Sequence, residues 1–225
     1  MCFHLAATAA AKTLEARFDA MFPESNLFEP SEEFNAFAHP KLPVITANKS
    51  DQIELFNWGL VPAWVKDKAM ADKLKKATLN ARVETAFNKP SFREPMRFKR
   101  CIIPATAFYE WQHVPVGSDL GSARTDLGSA RTSINKIKYK ISTDQEVFAF
   151  AGLWDSWKDW TGFSILTMPA NALMARIHNT AKRMPLILAP ENEKKWLDPG
   201  RIKLYDLQEL MVPYPEEKMS AEPTS

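Results

Sequence analysis

Hydrophobic and polar positions along the chain change repeatedly between helical and extended spacing. Apolar residues at helical spacing predict helices over about 7–22 and 65–76, a short helix over 171–178 with Asn171 as its N-cap, and a last helix over 191–198. Shorter apolar runs predict strands over 34–46, 52–64, 99–111, 146–157, 162–170 and 185–190. The segment TLNARVET (78–85) is predicted to be a polar turn. Strands and helices that follow each other closely predict an α+β fold with mostly antiparallel strands.

The segment INKIKYKIST (134–143) has the most regular alternation. Ile137, Tyr139 and Ile141 alternate with three lysines, which predicts a half-buried strand with one lysine-rich face.

Two segments fall outside this pattern. DLGSARTDLGSART (119–132) is a perfect seven-residue duplication, which predicts an expanded loop tip where an insertion costs little. The polar residues 214–225 predict a disordered tail. No linker interrupts the rest, so we expect a single domain over 1–213.

Composition excludes several classes of protein. The chain has 225 residues, is 45% hydrophobic and carries a formal net charge of +2, which is ordinary for a globular protein. No apolar run reaches the ~18–20 residues of a membrane span, and the start lacks the features of a signal peptide, so we expect a cytoplasmic protein that does not enter the membrane. Two cysteines and four scattered histidines have no metal-binding spacing. We therefore expect no metal and no cofactor.

The basic segment 66–100 contains aromatic residues between its lysines and arginines. A solvated helix face explains this composition, and a groove that follows a nucleic-acid backbone is the alternative. The neighbouring WGLVPAW (58–64) fits core packing, and it also fits base stacking by exposed tryptophans.

Cys2 has two interpretations. It is either incidental, or it becomes a chain end with an α-amine and a thiol on adjacent carbons once Met1 is removed. Both groups have reference pKa values near neutral pH, so an aldehyde could form a Schiff base with the amine and then close a ring with the thiol.

Three further positions are candidates for proton transfer or binding. Glu110 in FYEW ends an apolar strand, where burial would raise its pKa, although an ordinary strand-end carboxylate is equally compatible with the pattern. His178 ends a short helix, where a structural histidine is the common case. NARVET places Asn80 and Arg82 at alternate positions, which is usually structural.

In combination these motifs are more specific. Cys2, WGL-P-W, NAR-ET, P-FYEW and H…RMP-IL, in this order, resemble the SRAP (SOS response-associated peptidase) family of abasic-site processing proteins. The resemblance implies a single domain with a β-barrel-like core of antiparallel strands and flanking helices. It also implies that Cys2, exposed by loss of Met1, crosslinks to the aldehyde of an abasic site in single-stranded DNA as a thiazolidine.

The resemblance implies a role for each site residue. Asn80 would hold Cys2 and the opened sugar, Glu110 would transfer protons, and His178 would assist sugar opening. DNA contacts are implied for a second set of residues, namely Arg82, Trp64, Trp111, Arg183, Pro40 and His4.

The chain departs from the family pattern at two motifs. Phe3 and His4 follow Cys2 where the family has Gly-Arg, so His4 would replace an arginine that contacts phosphate. The family motif His-x-Arg-Met-Pro is three residues longer here, because His178 is followed by Asn-Thr-Ala-Lys before Arg183.

The leading hypothesis is a monomeric abasic-site sensor that shields single-stranded DNA covalently, with lyase-like Schiff-base chemistry and autopeptidase removal of Met1. One alternative is a non-covalent single-stranded DNA-binding module in which Cys2 is idle. Another is a thiol hydrolase that acts on amides and needs no DNA.

Overall fold

The computed structural model describes residues 2–116, 134–199 and 204–224. The α-helices in these ranges are α1 Ala11–Phe18, α2 Lys68–Ala77, α3 Val83–Ala86, α4 Arg93–Phe98, α5 Ala172–Ile177, α6 Pro190–Trp196 and α7 Leu204–Leu210. The strands are β1 His4–Ala7, β2 Ser31–Asn35, β3 Lys41–Thr46, β4 Lys49–Trp58, β5 Asn80–Arg82, β6 Arg100–Ala105, β7 Ala107–Pro115, β8 Ile134–Thr143, β9 Phe148–Trp157, β10 Trp160–Pro169, β11 Arg183–Pro185, β12 Ile187–Leu188 and β13 Met219–Thr224.

One of the two sheets closes into a ring. The strands β4, β3, β6, β9 and β10 pair in that order, and β10 pairs back to β4, which is the parallel contact of the ring. At this contact a Cβ on Gly162 would collide with the carbonyl oxygen of Gly59, so glycine permits the two backbones to approach each other. β5, β11 and β12 attach to the ring. The ring confirms the barrel-like core that the family resemblance implies.

The second sheet is antiparallel, with the order β13-β8-β7-β1-β2. Side chains alternate across it, so Phe108 and Glu110 of β7 face the ring, whereas Tyr109 and Trp111 lie on the opposite face. The packing agrees, because Phe108 belongs to the main core while Tyr109 and Trp111 pack in a separate small cluster.

A continuous hydrophobic core joins the two sheets. It includes Leu5 and Phe108 of the antiparallel sheet and Trp58, Phe150 and Phe163 of the ring. The largest of these side chains are fully buried, which favours folding by about 1.5–3 kcal/mol each relative to an exposed position. The predicted single α+β domain is therefore confirmed.

The structure differs from the predicted elements near the amino terminus. The predicted helix over 7–22 is observed only over Ala11–Phe18, since His4–Ala7 pairs with both β2 and β7 as an internal strand. The helix ends at Asp19, which has the left-handed φ of 51°.

Two further predictions are corrected in the middle of the chain. The predicted turn over 78–85 contains β5, which pairs with β10, followed by the short helix α3. The predicted strand over 99–111 is two strands, β6 and β7, which separate at Thr106 and enter different sheets.

The carboxyl-terminal part is more ordered than its composition indicates. α6 is followed by α7, and the segment predicted to be disordered contains the strand β13, paired with β8. Ladder hydrogen bonds satisfy its polar backbone, and the buried Tyr214 together with Met219 packs against the core. The duplication at 119–132 lies outside the described residues.

The predicted N-cap of α5 is confirmed. Asn171 Oδ1 accepts from the backbone N–H of Met174 at 2.9 Å, and Asn171 Nδ2 donates to the carbonyl oxygen of Tyr214 at 2.8 Å. The side chain therefore both starts the helix and ties it to the carboxyl-terminal segment.

Asn171→Ala should lower the free energy of unfolding by about 1–3 kcal/mol, since it removes a helix cap and a second hydrogen bond. Chemical denaturation would measure the change. Ala172→Ser, at the next and exposed position, is the control and should have an effect below about 0.5 kcal/mol. Equal effects of the two variants would show that the cap contributes nothing.

Candidate functional site

The four predicted catalytic residues come from four parts of the fold and meet between the two sheets. Cys2 lies two residues before the start of β1, and Glu110 lies on β7, which pairs with β1. Asn80 begins β5 on the ring side, and His178 is the C-cap of α5. Asn80 Nδ2 donates to the carbonyl oxygen of Cys2 at 2.9 Å, which links the two sheets at this point.

The thiol of Cys2 is fully buried and protonated. Its Sγ donates to the carbonyl oxygen of His4 at 3.6 Å. Burial raises the thiol pKa far above its ordinary value, and the nearby carboxyl group of Glu110 raises it further. The site therefore does not hold a preformed thiolate.

Glu110 has the protonation behaviour of a group that can exchange protons near neutral pH. Its side chain is only 4% exposed, and burial raises its pKa from 4.5 to about 7. The positive charge of the amino terminus opposes this shift of the pKa, and a hydrogen bond from the backbone of Trp111 opposes it to a smaller extent. A carboxyl group with such a pKa can donate or accept a proton at physiological pH.

His178 is buried beside Glu110 in its neutral form. Its Nδ1 lies 2.9 Å from the carbonyl oxygen of Arg183, and because that oxygen can only accept, Nδ1 carries the ring proton. Burial lowers the pKa of the imidazole. The same Nδ1 lies 3.9 Å from Glu110 Oε1, so a candidate acid and a candidate base are adjacent.

The longer connection between His178 and Arg183 is held against β7. Asn179 Oδ1 accepts from the backbone N–H of His113 at 3.1 Å, and Asn179 Nδ2 donates to the carbonyl oxygen of His113 at 2.8 Å. The turn closes with Lys182 at a left-handed φ of 49°, where its N–H donates to the carbonyl oxygen of His178. The additional residues therefore leave His178 next to Glu110.

Asn80 and Arg82 project from the same short strand. Asn80 Oδ1 is buried and has no hydrogen-bond partner within the part of the chain that the structure describes. This acceptor is available to an amine or hydroxyl group that enters the site. Arg82, two residues further on, is exposed.

The chain matches a known protein family over its whole length. The family model for the SOS response associated peptidase (SRAP) matches residues 1–225. The chain belongs to this family.

Curated SRAP relatives carry a common name. The abasic site processing protein YoqW of Bacillus subtilis is 36% identical over 221 residues, covering 93% of this chain and 88% of its own. The abasic site processing protein HMCES of Rattus norvegicus is 30% identical over 184 residues, covering 74% of this chain and 51% of its own.

Solved structures support the same fold. A protein from Bacteroides thetaiotaomicron has a TM-score of 0.87 at 38% identity and covers 100% of this chain and 92% of its own. A protein from Bordetella bronchiseptica has a TM-score of 0.77 at 23% identity, which supports the fold alone.

The predicted DNA-contacting residues of this SRAP chain have different environments. Trp64 is 45% exposed. Pro40 is half-buried, and the preceding residue, His39, has a left-handed φ of 52°. Trp111 and His4 lie on the outer face of the antiparallel sheet, where their rings meet edge to face at 4.9 Å.

Arg183 is not on an open surface. Its guanidinium group is buried and donates to both carboxylate oxygens of Glu84 at 2.7 and 3.0 Å, and also to the carbonyl oxygen of Thr167 at 2.6 Å. Both terminal guanidinium nitrogens therefore donate inside the protein, while the buried Nε has no hydrogen-bond partner among the described residues. The DNA contact of Arg183 stays a prediction. The carbonyl group of Arg183 orients His178.

Sequence reasoning missed three features near the site. Asn179 gave no signal, because its partners are backbone atoms of a distant strand. Phe37 is 56% exposed and lies 5.0 Å from Phe3, ring to ring, which no sequence pattern indicated. Glu33 is paired with His4, and only the register of β1 and β2 brings them together. Among the described residues, no cluster of three or more potential ligands could hold a metal ion, and no helix is long and apolar enough to cross a membrane.

The raised pKa of Glu110 predicts a pH dependence of stability. A carboxyl group whose pKa is raised on folding binds more protons in the folded state, so its contribution becomes less favourable as pH rises from about 4.5 to about 7. Relative to Glu110→Gln, the wild-type free energy of unfolding should fall by up to about 3 kcal/mol across this window. Denaturation at a series of pH values would measure it.

Glu84→Gln provides a control of opposite sign. The hydrogen bond from Arg183 lowers the pKa of Glu84, so that carboxylate stabilises the fold above its unfolded-state pKa and loses this effect in acid. A pH-independent difference between wild type and Glu110→Gln would contradict the burial of an ionisable carboxyl group at position 110.

Asn179→Ala should destabilise the protein by about 1–3 kcal/mol, since it removes two hydrogen bonds to the backbone of His113. Thr180→Ala, at the next and exposed position, is the control and should have an effect below about 0.5 kcal/mol. Denaturant titration of both variants would measure the difference. Similar values for the two variants would show that Asn179 does not hold this turn.

Proposed function

We propose that this SRAP protein processes abasic sites in single-stranded DNA by trapping their aldehyde covalently through Cys2. The observation that carries the proposal is the contact of Asn80 with the main chain of Cys2, beside a buried Glu110–His178 pair. Curated relatives that share the family are named abasic site processing proteins.

The proposed reaction begins when removal of Met1 frees the α-amine of Cys2. The amine adds to the aldehyde carbon of the ring-opened sugar and gives a carbinolamine, which loses water to form an imine. The thiol then adds to the imine carbon, and its proton passes to the nitrogen. One water is released, one C–N and one C–S bond form, and no oxidant or reductant is needed.

Glu110 and His178 can supply the proton transfers. Protonated Glu110, with a pKa of about 7, donates to the departing hydroxyl group, which leaves as water. Neutral His178 accepts a proton during sugar opening. Asn80 Oδ1, buried next to the Cys2 main chain, can accept from the α-amine and hold it toward the aldehyde.

The raised pKa of the Cys2 thiol favours thiazolidine formation over the activity of a thiol hydrolase. A hydrolase nucleophile needs a thiolate, which a lowered pKa or an adjacent base provides. Here burial and Glu110 raise the thiol pKa. Addition to an imine instead transfers the thiol proton to nitrogen as the bond forms, so a neutral thiol suffices.

Recognition of an abasic site cannot use a base at the lesion. Contacts with phosphate and stacking of neighbouring bases therefore have to position the strand. Exposed Arg82 and Trp64 are the proposed contacts with phosphate and with a base. The carbonyl oxygen of Pro40 accepts a hydrogen bond from the backbone of Trp58, at the end of β4 and six residues before Trp64. We further propose that the chain removes Met1 itself, that it acts as a monomer, and that it works in the compartment that contains DNA.

The second candidate function is a non-covalent single-stranded DNA-binding module. The exposed Trp64 and Arg82 favour it, since neither needs the chemistry of Cys2. The two functions differ in the fate of Met1, because a retained Met1 blocks the amine.

Purified protein should lack Met1 and form a denaturant-resistant adduct with abasic single-stranded DNA without added reductant. Cys2→Ala keeps an α-amine but has no thiol, so it should give only a transient Schiff base that borohydride traps. Intact mass spectrometry and denaturing gels would measure both outcomes.

Two controls complete this experiment. Cys101→Ser should form adducts like the wild type, because Cys101 is buried in β6 of the ring, outside the site. An amino-terminal tag should abolish both the adduct and the Schiff base. A stable adduct with Cys2→Ala would overturn the thiazolidine mechanism. DNA binding without any adduct, by wild-type protein that retains Met1, would favour the non-covalent binding module.

A further inference from the structure

The outer face of the antiparallel sheet contains a carboxylate that bridges a histidine and a lysine side chain. Glu33 Oε1 lies 2.7 Å from His4 Nδ1, and Glu33 Oε2 lies 2.6 Å from Lys138 Nζ. His4 and Lys138 come from β1 and β8, which are separated by β7. All three side chains are partly exposed, so the group is accessible to solvent.

The aromatic rings of Tyr109 and Trp111 on β7 pack beneath the His4–Glu33–Lys138 group. Lys138 Nζ lies 4.4 Å from the ring centroid of Tyr109 and 5.7 Å from that of Trp111. The edge-to-face contact of His4 with Trp111 completes the cluster. Strand register accounts for the arrangement, since His4 is opposite Tyr109 and Trp111 is opposite Lys138.

The cluster adjoins the proposed reaction site. His4 follows Cys2 by two residues, which is about 6–7 Å along an extended chain. Trp111 directly follows Glu110. The cluster therefore lies at the end of β1 that is nearest to Cys2.

We propose that His4 and Lys138 form a subsite for one phosphodiester group of single-stranded nucleic acid, and that Glu33 occupies this subsite in the free protein. The inference rests on the proposed function, because that function supplies the nucleic acid. A carboxylate and a phosphodiester both present two anionic oxygens, and both accept charge-assisted hydrogen bonds from the same donors. Trp111 offers a ring face or edge to the neighbouring base.

The ionised carboxylate of Glu33 competes with a phosphodiester group for His4 and Lys138, and the phosphodiester group can displace it. Partial burial pushes its pKa up, but hydrogen bonds from Lys138 and His4 outweigh this effect and hold the pKa below its ordinary value. A partly exposed ion pair contributes little to stability, so a phosphate can replace it at small cost. Glu33 lies on β2, the edge strand of the sheet, where no further strand confines it among the described residues.

The adjacent pair offers a matched control. Glu32 Oε2 lies 2.8 Å from Lys140 Nζ, so it has the same charge and a similar contact, but within the described residues it pairs with no second basic side chain. Both pairs lie near Tyr109, because Lys140 is opposite Tyr109 in the ladder and the Tyr109 hydroxyl group donates to the carbonyl oxygen of Glu32. If removal of one negative charge were enough to tighten nucleic-acid binding, Glu32→Gln and Glu33→Gln would have equal effects.

The test measures binding of a fluorescein-labelled 15-nucleotide oligothymidylate without an abasic site, by fluorescence anisotropy at several salt concentrations. Glu33→Gln should tighten binding about two- to fivefold, since it removes the internal competitor. Lys138→Gln should weaken binding and reduce the salt slope by about 0.7, the loss of one phosphate contact on a single strand.

The double variants provide the decisive comparison. In the Lys138→Gln background the tightening by Glu33→Gln should shrink, whereas any effect of Glu32→Gln should persist unchanged. Equal tightening by the two glutamate variants, or a Glu33→Gln effect that is unaltered by Lys138→Gln, would overturn the subsite.

The subsite and the covalent function are judged separately. Adduct formation by the wild-type protein with abasic DNA tests the covalent function, and it does not depend on the oligothymidylate measurements. Identical dissociation constants for wild type and Glu33→Gln would overturn the subsite even where the wild type forms adducts.

Discussion

The carboxyl group of Glu110 is the buried polar group around which the site is organised. It faces the space between the two sheets and is almost fully removed from solvent. Burial of a charge is costly, so the group holds its proton up to about pH 7 and lies beside a neutral imidazole. The fold maintains a proton donor and a proton acceptor side by side in a region that would otherwise be apolar core.

Contacts of Arg183 and Asn179 hold the Glu110–His178 pair in position. Arg183, fixed by Glu84 and Thr167, presents the carbonyl group that sets the tautomer of His178. Asn179 fastens the following turn to the backbone of β7, the strand that carries Glu110. These contacts hold the imidazole beside Glu110 with the longer connection between His178 and Arg183 in place.

The two faces of β7 separate the proposed reaction site from the proposed phosphate subsite. Its inner face carries Glu110 next to Cys2, while its outer face carries Tyr109 and Trp111 beneath Lys138. The two-residue period of a strand produces this separation within three consecutive positions. A single strand of nucleic acid that passes over the sheet margin could therefore be held on one face and react on the other.

The sequence by itself determined the fold class, most strands, the N-cap of α5 and the set of motifs that mark the SRAP family. These features depend on local periodicity, on local hydrogen bonds or on residue identity, all of which are present in the linear chain. Tertiary structure decided the rest. The segment 78–85 and the polar segment after Tyr214 form strands because β10 and β8 offer them backbone partners. Arg183 is internal because Glu84 lies within reach of its guanidinium group, and Glu33 meets His4 because of the register of β1 and β2. Each of these outcomes depends on contacts between residues far apart in the chain, whose proximity no local pattern encodes.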